Sequence, residues 1–321
     1  MTPLVSVVIP SFNHAAFVTQ AIDSVLDQTI TSVELIVVDD GSTDGSPDII
    51  RGHLEARDGS IPVRFEAREN RGIIRTLNEA LAGVNGKYFA VLGSDDLWAP
   101  SKLERQVQAM ESAGDHVAAG FSDCWVIDGQ GRRRGRMGLQ FPFRGGDIYR
   151  DLVLLRFFPP APTSVFLRQA IVDVGGYNER ATVTEDVDLW YRVARSHEVA
   201  YVDEPLASYR VHLDNVSVRD PVALYRDKMV ILEELILRDM DLQPVASRLR
   251  ARVQANHAGH LYTLLRLPDA RRAALSSLRT SPRERLAWRV LIRSLLGTRM
   301  VGWLRGKRDV RRRRVVEAED R

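Results

Sequence analysis

The first hundred residues alternate short apolar runs with helical periodicity, and each apolar run leads directly into a polar cluster. Residues 6–9, 34–38, 63–66 and 88–92 are rich in Val, Ile and Leu and read as short buried strands. Between the first two, Phe17, Ala21 and Val25 recur every fourth residue, which marks one face of an amphipathic helix. Ser46-Pro47 reads as an N-cap followed by proline at the first helical position, opening a helix to about residue 57. Ser101 with Glu104 fits a capping box for a helix that Gly114 ends. Strands that alternate with helices predict an α/β, Rossmann-like fold: a mostly parallel sheet with right-handed crossovers, flanked by helices. In such open sheets ligands bind beyond the carboxyl ends of the strands.

Three polar clusters occupy those ends. Pro10-Ser11-Phe12-Asn13 follows the first strand, Asp39-Asp40-Gly41-Ser42 the second, and Gly93-Ser94-Asp95-Asp96 the one that ends at Leu92. Adjacent carboxylates repel, and a cation or a set of hydrogen-bond donors has to offset that cost. Hard oxygen ligands of this kind suit Mg²⁺ or Mn²⁺ shared with substrate phosphates. Arg71, in Asn70-Arg71-Gly72 after the third strand, adds a phosphate-pairing group to the same edge. Taken singly, Asp-Asp-Gly-Ser is also a good tight turn, and Asp95-Asp96 also suits the approach to a helix. Repetition at successive strand ends favours the site.

From about 115 to 215 the pattern turns mixed. Residues 126–128, Gly129-Gln130-Gly131 and the basic 132–136 predict a hairpin or loop, while 163–167 and 199–202 predict further strands. A helix begins near Thr184, followed by Glu185-Asp186-Val187-Asp188. These acids either gain from the helix dipole or present a general base to the cleft. His212, in Tyr209-Arg210-Val211-His212, is a metal ligand or an ordinary surface histidine by the same reading. After Ser217 the chain reads as helical, through 224–237, 245–265, 268–278 and 283–304, with no internal repeat. The expected division is a nucleotide-sugar domain at 1–217 and a helical C-terminal region at 218–321.

The clusters, in order, resemble the inverting family 2 glycosyltransferases, which have the GT-A fold. The resemblance covers about residues 4–217 and rests on Val-Ser-Val-Val-Ile-Pro-Ser-Phe-Asn, Val-Val-Asp-Asp-Gly-Ser-Thr-Asp, Glu-Asn-Arg-Gly, Gly-Ser-Asp-Asp, Thr-Glu-Asp and Tyr-Arg-Val-His. It implies a metal-dependent enzyme of hexosyl type that moves a sugar from a nucleotide-diphosphate donor to a hydroxyl of a glycan or lipid-linked acceptor in surface polysaccharide assembly. It further implies that Phe12 lies against the nucleobase, that Asp40 accepts a hydrogen bond from it, and that Pro10 and Asn13 shape that pocket. By the same resemblance Arg71 contacts the nucleotide, Asp95 reaches the ribose, and Asp96 holds Mg²⁺ or Mn²⁺, with His212 completing the metal site as in some relatives. Asp186 becomes the catalytic base and Glu185 helps to place the acceptor. One departure stands out: Gly93 replaces the first aspartate of the common Leu-Asp-x-Asp-Asp pattern. A non-catalytic sugar-nucleotide-binding protein with a degenerate site is the alternative. No Gln-x-x-Arg-Trp motif of processive synthases is present, and no Gly-x-x-x-x-Gly-Lys-Ser/Thr loop.

Charge is divided unevenly. Residues 283–321 carry thirteen Lys/Arg against five Asp/Glu, whereas the rest of the chain carries 32 against 37. Within the tail, Arg285, Arg289 and Arg293 share one helical face, and Trp288, Leu291, Ile292, Leu295 and Leu296 the other. A basic amphipathic helix with tryptophan predicts contact with an anionic membrane surface. No aromatic-basic module accompanies the charge, so nucleic acid is not expected as a partner. The single cysteine, Cys124, rules out an internal disulfide framework. With no basic leader before the first strand and no apolar run of about eighteen residues, the expected location is cytoplasmic, peripheral at most to the inner membrane face.

Overall fold

The computed structural model describes residues 2–57, 59 and 61–295. These fall into two compact units. The first comprises the chain up to Leu152, Arg156–Arg180 and Glu185–Val211, and the second comprises Val153–Leu155, Ala181–Thr184 and the residues from His212 onward.

The first unit is built on β1 (Val5–Ser11), β2 (Val33–Asp40), β3 (Val63–Arg68), β4 (Tyr88–Val91), β5 (Leu97–Trp98), β6 (Val117–Asp128), β7 (Arg133–Arg136), β8 (Val165–Leu167) and β9 (Glu198–Val211). Among the described residues they form one sheet in the order β3-β2-β1-β4-β8-β6-β9-β5, with β7 hydrogen-bonded to β6. The half made by β3-β2-β1-β4 is wholly parallel as expected. However, β3 is the outer strand and not the buried one that the sequence predicts, with Val63, Arg64, Glu66 and Ala67 exposed. The later half is mixed: β8 runs antiparallel to β4 and β6, while β6 and β9 are parallel. Parallel strands covered by helices on both faces become continuous apolar runs, and Val5, Val7, Val8 and Ile9 are all fully buried. Burying each such side chain is worth about 1.5–3 kcal/mol. The helix Val18–Leu26 lays Val18, Ala21, Ile22 and Val25 on this sheet, on the face that the four-residue spacing predicts.

β1 is the inner strand that sets the register. It pairs Ser11 with Asp39 on β2 and Val8 with Val91 on β4. Pro10 lies beyond the β4 ladder, where its missing amide hydrogen leaves no partner unsatisfied. Both neighbours therefore deliver their polar ends to the same edge as residues 10–13.

Several local expectations change. Ser46 is the first residue of the helix Ser46–Glu55 and not its cap; Asp44, two residues upstream, accepts its amide at 3.1 Å and also its hydroxyl. An aspartate placed two residues before a helix forms this turn with its own backbone and displaces the serine. The capping box at Ser101 does not form, because Glu104 accepts a hydrogen bond from Thr29 Oγ1 at 2.7 Å instead. Gly114 does end that helix, at φ 99°. Thr163 closes a 3-10 turn, which leaves only Val165–Leu167 as strand, and 199–202 is the beginning of the fourteen-residue β9. A short helix, Arg168–Asp173, carries no clear signal in the sequence.

The second unit is helical: Pro221–Arg238, Ala246–Thr263, Leu267–Thr280 and Arg285–Ser294. Asp220 caps the first of these by accepting from the amides of Val222 and Ala223. The last three pack through small side chains, with Ala255, Ala258, Ala270, Ala274 and Ala287 buried together beside Leu261 and Val290. The tail helix thus packs with Ala287 and Val290, while Trp288, Ile292 and Leu295 remain 47%, 60% and 66% exposed. Leu296 and the basic run 311–314 lie outside the described residues. No helix among the described residues is long and apolar enough to cross a membrane.

Candidate active site

The ends of β1 and β2 are tied to each other by side chains. Asp39, 1% exposed, accepts from Ser11 Oγ at 3.1 Å, from Ser42 Oγ at 2.7 Å and from the Ser42 amide at 2.9 Å. It closes the Asp-Asp-Gly-Ser turn, and donors of its own chain offset its charge. Asn13, at φ 55°, adopts a left-handed conformation that asparagine tolerates. Its amide donates to Ser42 Oγ at 2.8 Å, and its Oδ1 accepts from the Thr43 amide at 2.8 Å. Phe12, next to it, is 45% exposed, an aromatic face left open beyond the strand end.

Asp40 points to the opposite neighbour. Its carboxylate accepts from the amides of Arg71 (3.0 Å) and Gly72 (2.7 Å) and from Arg68 Nε (3.3 Å). One carboxylate thereby fixes the Asn70-Arg71-Gly72 loop against β2. Gly41 permits this approach, since it sits at φ 83° and a Cβ there would meet the Asn70 amide nitrogen at 2.7 Å. The Arg71 side chain is half-exposed and leans on Glu79 at 3.4 Å.

The third cluster is organised by a residue that the motif reading quoted without assigning a role. Arg210, on β9, is 1% exposed. Its main-chain amide donates to Asp96 Oδ1 at 2.7 Å, its Nε to the Asp95 carbonyl at 2.7 Å, and its Nη2 to Gln20 Oε1 at 2.9 Å. The guanidinium also lies 4.7 Å above the Phe17 ring. Burial, with Asp95 beside it, pushes the Asp96 carboxyl well above the usual carboxylate range, and the Arg210 amide and charge work against that rise. Gly93 sits close to the same acids: a Cβ there would come within 3.0 Å of Asp95 Oδ1 and 3.3 Å of Asp96 Oδ2.

His14 is the second residue that the sequence reading left without a role. Its Nδ1 is 2.8 Å from Ser94 Oγ, and it and Asp95 offer ligand atoms within 4.8 Å of each other. An imidazole nitrogen beside a carboxylate oxygen is compatible with a divalent cation. His212 directly follows Val211, the last residue of β9, two positions beyond Arg210. The signal for His14 was its place immediately after Asn13. For Arg210 it was its place in Tyr-Arg-Val-His, at the end of β9.

Glu185 and Asp186 open the helix Glu185–Ala194, whose dipole favours negative charge at that end. Asp186 Oδ1 accepts from the Val187 amide at 2.8 Å. Asp188 serves the structure instead, buried against Arg192 at 2.6 Å. Tyr177 is buried nearby; burial first, and then the Glu185 and Asp186 charges, push its phenol far above the ordinary range.

This geometry invites comparison with known proteins. The profile described as glycosyl transferase family 2 matches residues 6–175, more than half of the chain. The chain belongs to glycosyl transferase family 2. An uncharacterized glycosyltransferase of Haemophilus influenzae is 31% identical over 232 residues, covering 67% of this chain and 68% of that protein. One from Nostoc is 30% identical over 214 residues, covering 65% of each, and one from Rickettsia felis is 30% identical over 219 residues. The match spans only 35% of the Rickettsia protein's length. Over 108 residues, 34% of this chain and 42% of the other, identity reaches 44% with a candidate teichuronic acid biosynthesis glycosyltransferase of Bacillus subtilis.

Among solved structures, a Pyrobaculum calidifontis mannosyltransferase in complex with GDP-Man and Mn²⁺ superposes with a TM-score of 0.61 at 19% identity, covering 92% of this chain and 81% of the other. Staphylococcus aureus TarS 1-349 in complex with UDP-GlcNAc gives a TM-score of 0.61 at 17% identity, covering 92% and 89%. At these identities the likeness is one of fold, and the family 2 chain has the GT-A fold.

Proposed function

We propose that this family 2 chain is an inverting, cation-dependent glycosyltransferase. It would move a sugar from a nucleoside-diphosphate donor to a hydroxyl of a glycan or lipid-linked acceptor in surface polysaccharide assembly. The observation that carries the reading is the Arg210-held Gly93-Ser94-Asp95-Asp96 turn, which sets a carboxylate beside His14 at the end of the parallel strands. The nucleotide ligands of the solved neighbours and the teichuronic acid assignment of the Bacillus relative support the donor class and the polymer class.

In this reading Phe12 stacks on the base, Asp40 takes a hydrogen bond from it while ordering the Arg71 loop, and Pro10 and Asn13 wall the pocket. Arg71 pairs with the nucleotide end of the donor, and Asp95 lies within reach of the ribose. Asp95 and His14 would hold the cation, with Asp96 and His212 as the further residues that the family resemblance implies. When bound, the divalent cation offsets charge on the departing diphosphate. Asp186 accepts the proton of the acceptor hydroxyl, and that oxygen bonds to the anomeric carbon from the face opposite the leaving group. The anomeric carbon–oxygen bond to the diphosphate breaks, and its electrons leave with the nucleotide. One displacement inverts the anomeric centre, and Glu185 positions the acceptor. The exposed Trp288, Ile292 and Leu295 beside a basic face are the elements we assign to an anionic membrane surface.

The test begins with a thermal-shift screen of sugar nucleotides, with and without Mn²⁺. With the selected donor, Asp186→Asn is expected to bind normally and to lose transfer by about 10³-fold or more. Turnover near wild type in that variant would remove Asp186 from the role of base.

A further inference from the structure

The helix Pro221–Arg238 buries one carboxylate, Asp227, which is 3% exposed. That carboxylate accepts four hydrogen bonds from three consecutive residues: the amides of Thr182 and Val183, each at 2.6 Å, Thr182 Oγ1 at 2.9 Å and Thr184 Oγ1 at 3.5 Å. The segment so bound, Ala181–Thr184, clusters with the helical unit, although its chain neighbours on both sides belong to the sheet unit. The next two residues are Glu185 and Asp186, which open the helix Glu185–Ala194.

We propose that Asp227 is the positioning residue for Asp186. Two amides and two hydroxyls converging on one carboxylate fix the backbone direction of 182–184, and that direction sets how the chain enters the first turn of the following helix. An aspartate is suited to the task because both of its oxygens accept and neither donates. An asparagine of the same shape would turn a donor toward the two amides and lose at least one of the 2.6 Å bonds. The proposal rests on the reading of Asp186 as base and extends it: Asp227, outside the residues matched by the family profile, holds the segment that leads into the helix bearing Asp186.

The experiment uses the full chain and the sugar nucleotide that gives the largest Mn²⁺-dependent thermal shift, with transfer read by nucleoside-diphosphate release. Asp227→Asn is expected to lower kcat by about 10- to 100-fold, the scale of a misplacement near 1 Å, with donor KM within about twofold of wild type. Amide exchange over 182–186 should accelerate while exchange in the strands stays unchanged. Adding Asp227→Asn to Asp186→Asn should cost nothing further, since the group being positioned is already gone. Thr182→Val, which removes one hydroxyl donor and keeps the amides, should give a smaller kcat loss with the same KM; it carries the test if the Asn variant does not fold. Wild-type kcat in both Asp227→Asn and Thr182→Val, with Asp186→Asn inactive, overturns the positioning role alone. Full turnover in Asp186→Asn overturns the reading beneath it.

Discussion

The main-chain amide of Arg210 donates a 2.7 Å hydrogen bond to the carboxylate of Asp96, and both residues are almost wholly buried. The side chain of the same arginine grips the Asp95 carbonyl at 2.7 Å, so one strand residue fixes both acids of the turn. Arg210→Met keeps the amide bond and removes the charge and the carbonyl contact. It should cost about 3–5 kcal/mol of stability, the scale of breaking a buried ionic network by losing one partner. Chemical denaturation checks this; a loss below about 1 kcal/mol would show that the arginine is not needed to hold the acids.

Gly93 offers a second test. An aspartate there restores the commoner motif, yet its Cβ would press on Asp95 Oδ1 at 3.0 Å and bring a third carboxylate to the turn. Gly93→Asp should lower metal-free stability by about 1–3 kcal/mol through overpacking and like-charge repulsion. Mn²⁺ should then raise its melting midpoint more than it raises the wild type's, because a cation relieves the added charge. An unchanged metal-free midpoint would contradict the crowding.

His257 makes stability depend on pH. It stacks on Tyr225 at 4.4 Å, and burial lowers its pKa from 6.5 to about 4. Between those values the unfolded chain binds a proton that the folded chain refuses, so stability falls as pH drops from about 6.5 to 4 and is fully present above that window. The shift corresponds to about 3 kcal/mol when fully expressed, and partial exposure reduces this to about 1–2 kcal/mol. His257→Phe should remove that part of the slope in denaturation curves taken at pH 4.5 and 7. Equal slopes in the two proteins would place the titration elsewhere.

The tail requires care in how it is cut. Ala287 and Val290 belong to the helical core, and Glu284 is buried against Arg252 at 3.1 Å, so removing residues from 283 would unfold more than a tail. Ile292→Ser with Leu295→Ser instead alters mainly exposed apolar surface. Binding to vesicles containing anionic phosphatidylglycerol should fall by about tenfold or more, with the melting midpoint unchanged. Vesicle binding at the wild-type level would assign the stripe to another partner.

The parallel half of the sheet was legible because period and composition agree there: Val5 to Ile9 is an unbroken apolar run, and strands buried on both faces need one. Residues 126–136 were legible as a hairpin or loop from a Gly-Gln-Gly turn between two segments, and they form the β6–β7 hairpin. Failures came where a distant residue outbid the local signal. Glu104 could have capped its own helix, but Thr29, 75 positions away, holds its carboxylate. The strand ends at Asp40, Asp95 and Asp96 were visible as motifs, yet the motifs did not say which acid faces donors of its own chain. Asp39 meets the donors of Ser11 and Ser42, and Asp188 pairs with Arg192. Arg210 and His14 acquire roles only once β9 and β1 bring them to the turn, a relation that no linear spacing encodes.

The bonds between Asp227 and the 182–184 segment also order events on the ribosome. Thr182 and Val183 find their acceptor 45 and 44 positions downstream. At about 5–20 residues per second, synthesis leaves that segment without its anchor for several seconds. The strand that ends in Asp40 and the one that leads to the Asp95 turn are complete well before then. The nascent protein can therefore assemble its sheet edge first, and residues 182 and 183 gain their acceptor only when Asp227 has been made.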